Sequence, residues 1–198
     1  MFVDATSLPD GEPIDTDICI VGAGAAGITM ARELAGSRYS VALLESGGLE
    51  LDARTQSLYE GKNTGIPTFD LQVNRLRFFG GTTNHWAGHC RLLDPIDFER
   101  RDWVPHSGWP ISHHELGPYY TRAQPICGLG PARYEDLNYF TECTGLPALP
   151  LDGNRLKTAV YNQSPPTRFG KEYRNELRRA HNVIVYLKAN VLELVTNP

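Results

Sequence analysis

Six residues, Gly22-Ala23-Gly24-Ala25-Ala26-Gly27, constrain this chain more than any other stretch, because they set three glycines at G-x-G-x-x-G spacing between two apolar segments. Before them, Asp17-Ile18-Cys19-Ile20-Val21 is a short apolar run of the kind that forms a buried parallel strand, in which Cys19 packs as a small hydrophobe. After them, Ile28, Ala31, Leu34 and Ala35 recur at helical spacing, with Arg32 and Glu33 on the other face, and Gly36 ends the pattern. Tyr39 to Glu45 reads as a second buried strand. Strand, glycine turn, helix and strand together make a β-α-β unit, which calls for a parallel sheet and an α/β fold of Rossmann-like type.

The spacing inside this unit assigns tasks. Gly22 permits the tight turn, Gly24 removes a side chain where a pyrophosphate would approach, and Gly27 lets the helix press against the strand. The helix N-terminus, which Ala25 and Ala26 open, offers backbone N–H groups and the positive end of its dipole to phosphates. Glu45, 18 residues after Gly27, is placed to accept the hydroxyl protons of a ribose. No Arg follows it to pair with a 2′-phosphate, which disfavours NADP. The fingerprint by itself serves FAD and NAD equally well.

With 198 residues and 41% hydrophobic content, the chain can bury the core of one domain, or of one domain with a large insertion. Residues 1–15 are polar and Pro-bearing and are expected to form a flexible arm, leaving 16–198 as the nucleotide-binding domain. Ser46 to about Pro150 is a long irregular excursion, thin in periodicity and rich in Gly, Pro, Trp, His and Tyr. Within it, Ser112-His113-His114-Glu115 has the spacing of a capping box and predicts a helix from Glu115 to about Pro125. Lys171 to Ala180 is expected as a charged, solvated helix, and 183–187 and 191–195 as strands.

Composition removes several function classes. A formal charge of −4, with no long run of either sign, draws the chain to neither nucleic acid nor an anionic membrane. No stretch approaches the roughly 20 apolar residues of a membrane span, and Met1-Phe2-Val3-Asp4 lacks the blocks of a signal peptide, so a cytoplasmic location is expected. Cys19, Cys90, Cys127 and Cys143 share no C-x-x-C spacing and read as reduced, structural thiols. His113 and His114 have no partner at ligand spacing, so no metal is expected. Trp103 and Trp109 read as packing around a Pro-rich turn beside His106.

A second glycine-hinged loop, Phe78-Phe79-Gly80-Gly81-Thr82-Thr83-Asn84-His85-Trp86-Ala87-Gly88, carries further information. Two separate glycine loops suit a long cofactor that is held at both ends. Together with Glu45-Ser46-Gly47-Gly48, Leu93 to Phe98, and Trp103 to Ile111, this loop resembles the glucose–methanol–choline (GMC) oxidoreductases, nearest the branch of pyranose oxidase-like and sugar or polyol dehydrogenase flavoproteins.

That resemblance implies FAD as cofactor and a GMC-type Rossmann-like FAD-binding domain, here incomplete and with a long irregular insertion. It implies flavin-side contacts at Gly80, Gly81, Thr82, Thr83, Asn84 and His85, an adenine contact at Val191, and Ser46 beside Glu45 at the ribose end. His85 stands where pyranose oxidase-like members bond a histidine covalently to the flavin, but T-N-H-W replaces their S-T-H-W. A covalent link at His85, a noncovalent contact and a packed loop histidine all stay open.

The implied reaction is oxidation of a CH–OH group in a sugar, polyol or other small alcohol by hydride transfer to flavin N5, with the electron acceptor left open. The family's catalytic histidine pair comes from a C-terminal region that has no counterpart here. The chain is therefore expected to be an N-terminal fragment without an assigned catalytic residue. The rival readings are an NAD-dependent dehydrogenase and a catalytically inactive FAD-binding module.

Overall fold

The computed structural model describes residues 1–134, 136–153 and 155–196. In chain order the strands are β1 (Phe2–Asp4), β2 (Ile18–Val21), β3 (Val41–Glu45), β4 (His89–Cys90), β5 (Asn162–Gln163) and β6 (Val183–Leu187). The helices are α1 (Ala25–Leu34), α2 (Ala53–Gln56), α3 (Leu71–Asn74), α4 (Pro95–Phe98), α5 (Gly117–Ile126), α6 (Leu137–Thr144), α7 (Phe169–Glu172) and α8 (Arg174–Arg179). They fall into two compact units, one of Met1–Trp86 with Arg168–Pro198 and the other of Ala87–Thr167.

The first unit is built on a parallel four-stranded sheet in the order β1-β6-β3-β2. Register puts Ile20 opposite Leu43, Leu43 opposite Val185 and Val185 opposite Phe2, so alternation places all four on one face. Ile20, Val41, Leu43, Val183 and Val185 on that face are buried, as are Ile28 and Ala31 of α1 and Leu177 of α8. The opposite face is less covered: Cys19 is exposed and Val21 is 57% exposed. The two-sided burial expected of Asp17 to Val21 is thus one-sided. β2 lies at the sheet edge and pairs with β3 alone among the described residues, and Cys19 points away from the helical layer.

Residues 1–15, expected as a loose arm, begin with an edge strand. Met1 donates its ammonium to the Val183 carbonyl at 2.9 Å, and its own carbonyl accepts from Val185 N–H at 2.9 Å. The Phe2 ring meets Phe79 edge-on at 5.1 Å, and Asp4 pairs with Lys188 Nζ at 2.7 Å. The apolar residue in a polar segment has found a buried neighbour far along the chain.

The helix expected over Lys171 to Ala180 is present as α7 and α8, separated at Tyr173 (φ −99°, ψ 0°). One of its faces is buried through Phe169, Gly170, Tyr173 and Leu177, so it is amphipathic where a solvated helix was expected. Arg32 of α1 ties it down by an ion pair to Glu176 at 2.8 Å and by its guanidinium lying 3.8 Å from the Tyr173 ring centroid. Asn182, at the entry to β6, donates to the Leu34 and Tyr39 carbonyls and accepts from Gly36 N–H, joining the end of α1 to the sheet.

The strand expected over 191–195 is not formed. Lys188 takes the left-handed conformation (φ 57°) and turns the chain off the sheet, leaving Leu192 and Val195 exposed.

In the second unit β4 and β5 form an antiparallel pair. The capping box holds: Ser112 N–H donates to Glu115 at 2.7 Å and Glu115 N–H returns to Ser112 Oγ at 3.4 Å, followed by a 3-10 turn and α5. Trp103 and Trp109 are 77% and 60% exposed, so neither is the packing residue their spacing suggested. All four cysteines are free thiols. No helix among the described residues is long and apolar enough to cross a membrane.

Candidate cofactor site

The site begins where β2 stops. Gly22 takes a left-handed conformation (φ 94°) and donates its N–H to the Leu44 carbonyl at 2.7 Å, which fixes the turn against β3. A Cβ on Gly27 would overlap the Gly22 carbonyl oxygen, so a glycine there is what allows α1 to start so close to the strand. Gly24 is the N-cap of α1 and supplies no side-chain cap, and a Cβ built on it would meet nothing within 4 Å. The first-turn N–H groups of α1, among them those of Ala25 and Ala26, have no intrahelical acceptor. Open space above an uncapped helix N-terminus suits a phosphate.

Glu45 ends β3 and is 5% exposed. Its Oε2 accepts from Ala23 N–H at 3.0 Å, and its Oε1 accepts from Gly47 N–H at 2.9 Å and from Ser46 Oγ at 3.3 Å. The residue expected to hold a ribose therefore braces the first glycine turn to the turn after β3. Such cross-bracing was not readable from spacing, because it needs Gly47 to pass so close beneath Arg77 that a Cβ would overlap the Arg77 carbonyl oxygen.

The second glycine loop lies directly against the first, so the two form one continuous surface and not the separate holds at the two ends of a cofactor that their sequence separation suggested. Gly80 N–H donates to the Ala23 carbonyl at 2.8 Å, and a Cβ on Gly81 would stand 3.1 Å from Gly24 Cα. Both Gly80 (φ 98°) and Gly81 (φ 53°) are left-handed, and Gly81–Asn84 forms a 3-10 turn. Thr83 is buried, donating to the Gly80 carbonyl at 2.6 Å and accepting from Phe169 N–H at 3.2 Å. Asn84 Nδ2 donates to the Phe79 and Gly81 carbonyls at 3.0 Å each. Two of the expected flavin contacts thus spend their side chains on holding the loop's shape. Thr82 is half-buried, accepting from Leu76 N–H at 3.4 Å, and His85 is exposed at the loop's end.

Two supporting residues escaped the sequence reading. Arg168 Nη1 donates to the Thr83 and Trp86 carbonyls at 2.9 Å each, clamping the loop from the start of α7. Gly170 packs against it so tightly that a Cβ would overlap the Phe79 carbonyl oxygen. A lone Arg-x-Gly carries no signal of its own; its role exists only once α7 lies beneath the loop.

Val191 is in irregular backbone at the rim of exposure. The end of β6 reaches the site before it: Lys188 N–H donates to the Gly47 carbonyl and Ala189 N–H to the Glu45 carbonyl, both at 2.9 Å. Gly22 to Gly27, Glu45 to Gly47, Gly80 to Asn84 and the end of β6 are therefore assembled at one end of the parallel strands, where α/β sheets take their ligands.

The family model for FAD dependent oxidoreductases (DAO) matches residues 17–195. The chain belongs to the FAD dependent oxidoreductase family. FAD is thus the cofactor, which closes the choice that the first fingerprint leaves between FAD and NAD. The residues present fit it: an uncapped helix N-terminus beneath a side-chain-free Gly24, with a second glycine loop alongside. Among curated proteins the chain is similar to a 2-methyl-1,2-propanediol dehydrogenase from Mycolicibacterium austroafricanum, 28% identical over an alignment of 138 positions that covers 58% of this chain. The match spans 24% of that relative's length.

Proposed function

We propose that this chain is the FAD-binding part of a GMC-type oxidoreductase acting on a CH–OH group of a small alcohol, polyol or sugar. The observation that carries the reading is the Gly80 to Ala23 hydrogen bond, which merges two glycine loops into one cradle for a long cofactor. The G-G-T-T-N-H-W loop supports the GMC type. The dehydrogenase relative, named for a vicinal diol, supports an alcohol substrate.

In this reading Gly22 to Gly27 hold the pyrophosphate, and Ser46 and the residual acceptor capacity of Glu45 face the ribose. The backbone near Val191 meets the adenine, and Thr82 and His85 border the flavin. FAD supplies the hydride acceptor at flavin N5. The chain's own residues bind and orient it; the proton-abstracting base is not assigned to any of them. His85 contacts the flavin without a covalent bond, in keeping with the T-N-H-W departure.

The test is to purify the protein with its natural flanking sequence, reconstitute it with FAD and mix it anaerobically with 1,2-diols, polyols and sugars. Bleaching of the flavin absorbance by one of these classes is expected. Bound flavin that no alcohol reduces would instead favour an inactive FAD-binding module. After acid precipitation the yellow colour should leave with the supernatant.

A further inference from the structure

Arg168, just before α7, Lys171 of α7 and Arg174 and Arg178 of α8 line a cavity of about 520 Å³ within the first unit. Arg168, Lys171, Arg174 and Arg178 recur every three or four residues, on the side of the helical pair away from buried Phe169, Tyr173 and Leu177. Leu49, Phe78 and Asn84 complete much of the wall, and Glu50 is the one carboxylate among the described lining residues. None of the four cations forms an ion pair among the described residues.

Two of the cations are held in place by backbone. Arg168 is anchored through Nη1 on the Thr83 and Trp86 carbonyls, and Arg174 through Nε on the Gly170 carbonyl at 3.2 Å. Each keeps further guanidinium N–H donors. The Arg178 guanidinium lies 5.7 Å from the Phe2 ring centroid. A concave wall with four cations against one acid focuses a positive potential, and fixed donors need no reordering when an anion arrives.

We infer that this cavity is a second anion site, built for a small molecule bearing two or more phosphate groups. Arg168 lies just before α7 and Arg178 near the end of α8, so the cations enter the cavity from both helices and together offer more N–H donors than one phosphate can take. The site is distinct from the pyrophosphate cradle, because no residue of Gly22 to Gly27 lines it. It adjoins the flavin-side loop through Asn84, whose amide holds that loop in shape. Nothing in this cavity depends on the substrate being an alcohol.

The test uses inorganic pyrophosphate as probe, titrated calorimetrically into the FAD-saturated chain and into Gly24→Ala, whose FAD cradle is weakened. Saturable one-to-one binding is expected in both. Lys171→Glu and Arg178→Glu should each weaken it about tenfold, and Glu50→Gln should tighten it a few-fold. Arg179→Glu makes the same charge change on α8 outside the cavity lining and should leave binding within about twofold. Lys171→Gln and Arg178→Gln, milder changes at exposed positions, repeat the measurement should a Glu variant fail to fold. Equal weakening by Arg179→Glu, absence of binding, or capture by anionic vesicles without any response to pyrophosphate would overturn the assignment.

Discussion

Gly80 donates its amide N–H to the carbonyl oxygen of Ala23 at 2.8 Å, so the middle of the first glycine turn and the hinge of the second are directly bonded. Both loops sit where a side chain would intrude, and each holds the other in place. A disturbance in one should therefore be felt in the other. The supporting shell of Glu45, Thr83, Arg168 and Gly170 turns that single bond into a rigid floor.

Gly24→Ala and Gly27→Ala should separate binding from folding. The Cβ at position 24 meets no protein atom within 4 Å, so thermal unfolding should match the wild type, while FAD affinity falls roughly tenfold to a hundredfold because the methyl occupies the phosphate's approach. At position 27 the Cβ overlaps the Gly22 carbonyl, and stability should fall by about 3 kcal/mol or more. Flavin fluorescence titration and calorimetric unfolding decide the matter; wild-type FAD binding by Gly24→Ala would remove the cradle from the cofactor site.

Gly170→Ala should impair FAD binding although Gly170 belongs to the supporting layer. Its Cβ would overlap the Phe79 carbonyl and push the second loop off Ala23, costing about 1–3 kcal/mol of stability. FAD affinity should drop by roughly tenfold. Hydrogen exchange at Gly80 to Thr83 should speed up, and unchanged exchange there would count against the clamp.

Glu45→Gln removes one of two carboxylate acceptors. The amide NH2 must then face either Ala23 N–H or Gly47 N–H, leaving a buried donor unpaired where charge-assisted bonds stood. A loss of about 1.5–3 kcal/mol is expected from the urea midpoint at constant slope. A neutral substitution would mean that the bracing adds nothing.

The edge strand has a pH signature. Hydrogen bonding to Lys188, then to Thr6, holds the Asp4 carboxyl at about 2, below its ordinary 3.8. A depressed folded-state value stabilises above the unfolded value, so the contribution is complete above about pH 4 and is lost as pH falls through about 2. The difference in unfolding temperature between wild type and Asp4→Asn should close over that window. It should be small, because both partners are about half exposed. A difference that widens on acidification would contradict the pairing.

The four thiols should divide in two. Cys19 and Cys143 are exposed, whereas burial raises the Cys90 thiol and, with Cys90 nearby, pushes Cys127 up to about 11 from an ordinary 9.0. At pH 8 an alkylating reagent should mark Cys19 and Cys143 quickly and Cys127 last. Mass spectrometry of timed samples reads the order directly, and early labelling of Cys127 would refute it.

Much of the site was legible because its signals are local. Glycine at positions 22, 24 and 27 reflects steric limits within a few residues of chain, and the Ser112 to Glu115 box closes over one helical turn. The same locality explains why α1, β2, β3 and β6 fall where periodicity places them, and why the glycines of both loops stand out in the sequence although their contact does not.

What only the tertiary structure decided is which partner each residue meets. Burial belongs to a pair of surfaces: Cys19 and Phe2 are both apolar in sequence, yet one is exposed at the open face of an edge strand and the other packs on Phe79. Glu45, Thr83 and Asn84 carry the donors and acceptors suited to a ligand, but neighbouring backbone groups claimed them first. Sequence determined where the chain could turn and leave room; the long-range approach of Ala23, Gly80 and Gly170 determined what that room became, because hydrogen bonds and close packing reward the groups that arrive together, however far apart they lie along the chain.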